Sequence, residues 1–479
     1  MEGSLSIFAR FKMHLGLFLL ILFDVLIVMS ILYLSIFLRK SVLPEILPLK
    51  PFTGDMMTYY WIFPIWFFVF LFQGAYTRRL TYWDEIKFLW KSVFIVFLTI
   101  FTILFIGKQG ARFSRGVILG MSVLSVLLLP TLRILSKRFI YSLGLMRRKV
   151  LIIGAGQAGT MALHALQREK NLGYEVAGFI DDDRAQEYIE GYKVHRGESR
   201  IERFIKKCCI HDVVIAKPEI KKERLVEMVN KIQHKASSIL YIPELTGIAV
   251  LGTELRHFFD EQTMVIEIKN NLERKTNYLL KRSFDCLVSL FLFFITIIPI
   301  MIISLLIKLT SRGPAIYKQE RMGKHLKPFY CYKFRTMYID ADERLKKLLE
   351  TDPEARKEWE RYHKLKKDPR ITRIGSFLRT TSLDELPQIF NVLKGEMSLV
   401  GPRPVTREEI EQHYREAASL CFSVPPGITG LWQVSGRNNT TYEQRVSLDI
   451  WYVRNWNLWL DIVILLKTVV VVIKREGAC

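Results

Sequence analysis

Four long apolar runs in the first third of the chain restrict what it can fold into more than any other feature. The first extends from Leu15 to about Leu38, and others lie at roughly 57–74, 91–107 and 116–135. Each approaches the ~20 residues that a bilayer-crossing helix needs, so four transmembrane helices are expected. Arg10 and Lys12 precede the first run as they would in a signal peptide, but the run is too long and lacks a small-residue cleavage site. Orientation follows from basic residues at the span ends. Arg78, Arg79, Lys87 and Lys91 on one side nearly balance Arg39, Lys40, Lys108, Arg112 and Arg115 on the other. The cluster Lys137, Arg138, Arg147, Arg148 and Lys149 breaks the tie and places everything after the fourth span in the cytoplasm. With an even number of spans, the N-terminus lies there too.

The 479 residues leave room for two or three domains, and half of them are hydrophobic, in keeping with a membrane portion. Against that background the formal net charge of +22 suits anionic headgroups, phosphorylated substrates or nucleic acid. The six cysteines contain no C-x-x-C spacing and the nine histidines do not cluster with them, which predicts a reducing compartment and no structural zinc.

After the basic cluster, "KVLIIGAGQAGTMALHALQ" reads as a strand from Val150 to Ile153, a Gly154-x-Gly156-x-x-Gly159 turn and a helix. A second strand in "YEVAGFIDDD" ends at Asp181, where a Rossmann unit carries its ribose-binding acid. "HDVVIAKPE" supplies a later strand near Val213 to Ile215. Two readings stand side by side: a site for NAD or another nucleotide, and a Rossmann-like scaffold whose glycines serve packing. The one Y-x-x-x-K match, Tyr362 to Lys366, falls in a distant charged stretch.

A fifth apolar run extends from Cys286 to about Leu309. Pro299 lies at its middle, where it removes a backbone hydrogen bond, and both flanks are basic, with Lys281 and Arg282 before and Lys308 and Arg312 after. A helix that enters the membrane, bends and returns on the same face satisfies both features; a kinked full span is the alternative.

Beyond it, Lys318, Arg321, Lys333 and Arg335 alternate with aromatics on strand-like runs, and residues 340–368 form a charged segment with helical spacing at Leu345, Leu348 and Leu349. The chemistry concentrates in "RTTSLDELPQIFNVLKGEMSLVGPRP", from Arg379 to Pro404. Leu386, Ile389, Phe390 and Leu393 recur at helical spacing and Gly395 ends the pattern. Ser382-x-x-Glu385 fits a capping box, but Pro387 sits badly with a cap at Ser382, and a helix starting at Asp384 fits better. Asp384 would then lie at the positive end of a helix dipole, which also favours phosphate. A carboxylate beside a phosphate needs cations, and Arg379, Arg403 and a divalent metal would supply them. That pattern suits nucleophilic attack on phosphorus through an acyl-phosphate.

The motifs "KRSFD", "YKFRTM", "TSLDELPQIFNVLKGEMSLVGPRP", "PGITGLWQVSGRN" and "DIWYVRNWNLWLDIVILLKTV" resemble, in order, those of the bacterial sugar transferases, the polyprenyl-phosphate glycosyl-1-phosphate transferases. The four spans and the Rossmann-like domain are similar to its large polytopic subgroup. The resemblance implies three parts: a four-helix transmembrane domain (1–145), a Rossmann-like cytoplasmic α/β domain (146–245) and, after a linker (246–278), a sugar-phosphate transferase domain (279–479) with a re-entrant helix near 283–309. It implies transfer of a hexose-1-phosphate from a UDP-sugar, galactose first and glucose second, to undecaprenyl phosphate with release of UMP. Asp384 would be the nucleophile and Glu385 its partner in metal binding or proton handling. Arg379 and Arg403 would hold phosphate, Lys333 and Arg335 would lie near the nucleotide, and Arg437 would line the same pocket. Mg2+ as cofactor, a homodimer, contact with membrane lipid and a bacterial inner-membrane location are further implications. Relatives place a serine before the bending proline; here Ile298 stands there, with Thr296 the nearest substitute. Two anionic substrates would account for the net charge without nucleic acid. An NAD-dependent nucleotide-sugar enzyme on a membrane anchor, and a non-catalytic scaffold for polysaccharide assembly, are the competing readings.

Overall fold

The computed structural model describes residues 2–48, 52, 54–108, 113–183, 186–197, 201–244, 254–258, 263–267, 275–352, 354, 356, 359, 368–436 and 440–474. The chain forms two compact units, Met1–Leu245 and Thr246–Cys479.

In the first unit the apolar runs become α1 (Glu2–Phe37), α2 (Ile62–Phe72), α3 (Tyr82–Ile106) and α4 (Arg115–Ser142). Three are long enough to cross a bilayer, α1 continuing through a π-turn to Ile46. The second run is the exception: α2 has only 11 residues, about 16 Å at 1.5 Å each. A 3-10 turn at Met56–Tyr59 precedes it. The Tyr59 hydroxyl accepts from Ser114 N at 3.1 Å, and Arg39 packs on Gly116. At the other end of α2, Arg79 donates to Met146 O at 2.6 Å, and Met146 fills the open side of Gly16. One face of the helical layer therefore holds Arg39, Tyr59 and Ser114, and the other holds Gly16, Arg79 and Met146, so the short helix and its entry turn connect the two faces.

Asp24, Glu85, Arg133 and Lys137 pair inside the layer. Arg133 binds Asp24 and lies 3.2 Å from Glu85 Oε1, and Lys137 Nζ lies 2.5 Å from Glu85 Oε2. Buried charges persist only when matched in this way. Lys137, which the sequence offers as an orienting surface charge, is thus an interior ion-pair partner. Asn171, just before the second Rossmann strand, donates to Glu85 and to Leu80 O at 3.0 Å, keying the α/β layer onto the helices.

That layer is a six-stranded sheet in the order β3-β4-β2-β1-β5-β6, comprising β1 (Arg148–Ile153), β2 (Tyr174–Ile180), β3 (Tyr188–Ile189), β4 (Tyr192–His195), β5 (Asp212–Ile215) and β6 (Ser238–Tyr241). It is parallel except where β3 turns back on β4. Its central strands are buried on both faces, which explains their unbroken apolar runs. The helix α5 (Gln157–Arg168) follows the glycine turn. Gly154 has φ +105°, and a Cβ at Gly159 would sit 2.1 Å from Gly154 O, so the strand-to-helix passage requires glycine at both places.

The second unit begins inside the expected linker, which contains an antiparallel hairpin, β7 (Glu254–Phe258) and β8 (Thr263–Glu267). The fifth apolar run is a continuous helix, α6 (Lys275–Thr310), about 54 Å long, that passes through Pro299. Thr296 Oγ1 bonds Leu292 O at 2.7 Å, one turn before Ile295, the residue whose carbonyl Pro299 leaves without a helical donor. Thr296 therefore does not take the role expected of a serine before the proline.

Both halves of α6 pack into the second unit, on two separate clusters. Near its start, Lys281 Nζ donates to Val400 O at 3.0 Å and pairs with Asp461 at 2.7 Å, while Ser398 Oγ donates to Asp285 at 2.7 Å. Toward its end, Ile300 and Ile307 are buried with Ala315, Phe334, Leu378 and Ile389. The opposite face leaves Leu287, Phe291, Phe294, Ile298, Ile302 and Leu305 exposed. Lys281, 4% exposed, is consequently not a headgroup-facing charge, and its use as a topological signal is corrected.

The second unit also contains β9 (Ile316–Met322) paired antiparallel with β10 (Pro328–Phe334), α7 (Ala341–Thr351), α8 (Arg373–Thr381), α9 (Gln388–Lys394), β11 (Ser398–Val400) parallel to β12 (Gly427–Thr429), α10 (Tyr442–Arg454) and α11 (Leu458–Lys474).

Candidate active site

The acidic pair does not open a helix. α8 is capped at its start by Thr372, whose hydroxyl accepts from Gly375 N at 2.8 Å, and ends at Ser382 in the left-handed conformation, φ +57°. Asp384 and Glu385 follow on a 3-10 turn, Leu383–Glu385, and α9 begins only at Gln388. Pro387 sits at the cap position, where its missing N–H costs nothing. Ser382 makes no side-chain cap, so the capping box that its spacing fits is absent, as is the preferred helix start at Asp384, and Glu385 pairs with Lys333 Nζ at 2.8 Å.

Three attachments hold that turn. Gly375 lets α8 approach the end of β10: a Cβ there would lie 2.0 Å from Thr336 O. Asn391, fully buried on α9, donates to Tyr330 O at 2.8 Å and accepts from Tyr332 N at 3.0 Å, fastening α9 beside β10 and Lys333. Arg282 donates to Val392 O at 2.6 Å and Leu393 O at 2.9 Å, satisfying the last carbonyls of α9 from α6. The "KRSFD" residues thus position the acidic pair without belonging to the site, a role that linear spacing does not reveal.

The turn opens onto a cavity of about 840 Å³ whose wall includes Asp384, Glu385, Lys333, Arg379 and Arg403. Arg379 Nε donates to Thr336 Oγ1 at 2.9 Å. Arg403 arrives from the Gly-Pro-Arg-Pro turn, where Gly401 N donates to Thr429 O at 2.9 Å and Gly427 N to Pro402 O at 2.8 Å; its guanidinium stands 5.6 Å from the Trp432 ring centre. Burial, and then the neighbouring Glu385 charge, push the Asp384 carboxyl above the ordinary aspartate range, while Lys333 and Arg379 oppose the shift.

Arg335 also lines the cavity, but its guanidinium is committed elsewhere. It donates to Arg312 O at 2.6 Å, Ser311 O at 2.9 Å and Ser311 Oγ at 2.8 Å, closing the C-terminal end of α6. Its Nη1 and Nη2 donors therefore serve the end of α6. Arg437, Tyr362 and Lys366 lie outside the described residues. Sequence reasoning missed Trp432, Thr336 and Asn391; the "PGITGLWQ" turn pointed only to the first.

Mg2+ characteristically takes one or two carboxylates and completes its shell with water and substrate phosphate. Two adjacent carboxylates on a cavity wall fit that requirement, and among the described residues no cluster of three or more His, Cys, Asp or Glu offers an all-protein cage. The glycine turn of the first unit fits a dinucleotide poorly. Asp181 accepts from Ala155 N at 2.7 Å and Asp183 N at 3.1 Å and pairs with Lys217 at 2.9 Å, so the acid expected to hold a ribose is engaged by the turn itself.

Known proteins share these regions. The family model for bacterial sugar transferase matches residues 276–475, and that for a CoA-binding domain matches residues 71–243, starting within α2. The chain is 40% identical over 415 residues to undecaprenyl-phosphate galactose phosphotransferase of Salmonella typhimurium, covering 86% of each. It is 39% identical over 415 residues to UDP-galactose-lipid carrier transferase of Erwinia amylovora, again 86% of each. To UDP-glucose:undecaprenyl-phosphate glucose-1-phosphate transferase of Klebsiella pneumoniae it is 33% identical over 349 residues, covering 71% of this chain and 70% of the other.

Proposed function

Because the chain belongs to the bacterial sugar transferase family and is a phosphoglycosyl transferase, we propose that it moves a hexose-1-phosphate from a UDP-sugar to undecaprenyl phosphate and releases UMP. This would be the first membrane step of O-antigen, capsule or exopolysaccharide synthesis. The observation that carries the mechanism is the cavity-facing Asp384, flanked by Glu385 and by cations from three separate elements. One Asp384 oxygen attacks the sugar-bearing phosphorus, the phosphoanhydride bond breaks, and UMP leaves. An oxygen of undecaprenyl phosphate then attacks the same phosphorus, the acyl-phosphate bond breaks, and the carboxylate is restored. A phosphoanhydride is lost and another formed, so the reaction is near balance. Lys333 keeps Glu385 compensated, while Arg379 and Arg403 offset charge on the transferring group. Mg2+, held by Asp384 and Glu385, would neutralise phosphate charge.

Galactose is the proposed donor sugar, following two relatives 40% and 39% identical over 86% of the chain, and glucose is the alternative. We place the reaction at the cytoplasmic face of the bacterial inner membrane, in a homodimer. The packing of α6 supports a re-entrant placement. A helix crossing the bilayer would send Asp285 and Ile307 to opposite sides, yet both pack into one unit, and the exposed apolar face between them suits lipid. The test is UMP release from a panel of UDP-sugars by nanodisc-held protein with undecaprenyl phosphate and Mg2+. Wild type should release UMP from one sugar and Asp384→Asn from none; undiminished transfer by the variant would remove Asp384 as nucleophile.

A further inference from the structure

Beside the catalytic cavity lies a smaller one, of about 260 Å³, and the two share Arg403 and Trp432. Its other wall includes Tyr442 and Arg445 of α10. The Arg445 guanidinium stands 4.8 Å from the Trp432 ring centre and 5.6 Å from that of Tyr442, so two arginines from distant parts of the chain converge on one indole. Among the described residues neither forms an ion pair with a carboxylate, although Glu409 lines the same pocket. Glu409 is engaged by Arg321 at 3.0 Å, Thr406 N at 2.7 Å and the Tyr442 hydroxyl at 3.4 Å. Tyr414, also on the wall, gives its hydroxyl hydrogen to Asp449 at 2.8 Å. What the pocket offers a ligand is therefore guanidinium N–H donors and guanidinium planes, since Trp432 is buried beneath the two arginines and Tyr442 stacks on His413 at 3.8 Å. A hexose, whose hydroxyls also need acceptors, is poorly matched; a phosphate attached to a planar base is well matched.

We propose that this side pocket seats the nucleoside monophosphate half of the donor, with Arg445 joining Arg403 on the phosphate that departs and the pyrimidine lying against the guanidinium planes. The inference rests on the proposed reaction and assigns its leaving group a place. Because Arg403 borders both cavities, a diphosphate can run from the phosphorus facing Asp384 to the phosphate held at Arg445. Arg445 is then a binding residue for the nucleotide and not for the lipid acceptor, a distinction that kinetics can read.

The experiment is calorimetric titration of UMP into full-length protein in nanodiscs for wild type, Arg445→Gln and Arg445→Lys. It is paired with KM values for UDP-galactose and undecaprenyl phosphate and with unfolding midpoints. Loss of a charge-assisted contact predicts UMP binding weaker by about tenfold or more in Arg445→Gln, with partial recovery in Arg445→Lys. KM for the UDP-sugar should rise while KM for undecaprenyl phosphate holds. Unchanged UMP affinity overturns the assignment, and a rise confined to the undecaprenyl phosphate KM overturns it in favour of an acceptor site. If Arg445→Gln lowers the unfolding midpoint, the lysine variant decides, since it keeps stem and charge and should still bind UMP a few-fold more weakly. A wild type that binds UMP through Arg445 but turns over no UDP-sugar would sink the proposed reaction and leave the nucleotide seat standing.

Discussion

Replacing Lys281 by methionine tests whether α6 is locked to the catalytic core or merely anchored at a headgroup. Its ammonium donates to Val400 O at 3.0 Å and Asp461 at 2.7 Å and lies 3.9 Å from Asp285, all buried. Methionine keeps much of the volume but strands two interior carboxylates. Asp461 would retain only the Tyr452 hydroxyl at 2.7 Å and Trp456 Nε1 at 3.0 Å among the bonds described here. Breaking one side of a buried pair costs about 3–5 kcal/mol. For a domain of this size each kcal/mol lowers the midpoint by roughly 2–4 °C, so the C-terminal unit should melt roughly 6–20 °C lower. The assay is thermal unfolding of detergent-held protein followed by tryptophan fluorescence. Adding Asp461→Leu removes the stranded charge and should recover at least half of the loss. A headgroup anchor would lose less than about 1 kcal/mol on the same change, so a shift under about 2 °C, or no recovery in the double variant, would refute the locking argument.

Other outcomes follow from the same geometry. In the proposed reaction Asp384 attacks as the carboxylate, and its carboxyl is held above the usual range, so activity should fall as pH drops through that raised value. Glu385→Gln removes the adjacent negative charge and should move this acid limb of the kcat/KM profile to lower pH; an upward move would contradict the account. Arg335→Met should lower the unfolding midpoint, because it frees the carbonyls of Ser311 and Arg312, while leaving KM for the UDP-sugar within about twofold. Asp181→Ala releases Ala155 N and Lys217 and should destabilise the first unit by about 1–3 kcal/mol without abolishing turnover. Loss of transfer with the fold intact would return the glycine turn to the chemistry.

Much of the second unit's chemistry was legible because it is written in short, contiguous motifs. Asp384, Glu385, Arg379 and Arg403 fall within one segment of the chain, and Lys333 reaches Glu385 as a basic residue on a strand can. The local conformation was less legible: Ser382 and Glu385 satisfy the pattern of a capping box, but a left-handed residue at Ser382 and the proline two places after Glu385 leave only a 3-10 turn between two helices. Arg335 shows the same limit, since a strand arginine two residues from Lys333 looks equivalent to it until the end of α6 claims its donors.

By itself the sequence determined the membrane character, the strand-turn-helix of the first unit and the segment whose acidic pair, Asp384 and Glu385, lines the cavity. Each depends on composition or on spacing within one turn of backbone, which local sterics and hydropathy dictate. Only the tertiary structure decided which charges are chemical and which are internal. Lys137, Lys281, Arg282, Arg335 and Asp181 all read as surface or ligand-binding groups, and all are engaged by partners up to 180 residues away. Burial and hydrogen-bond satisfaction are properties of groups brought together by the fold, and no periodicity in the chain encodes which partner a buried charge will meet.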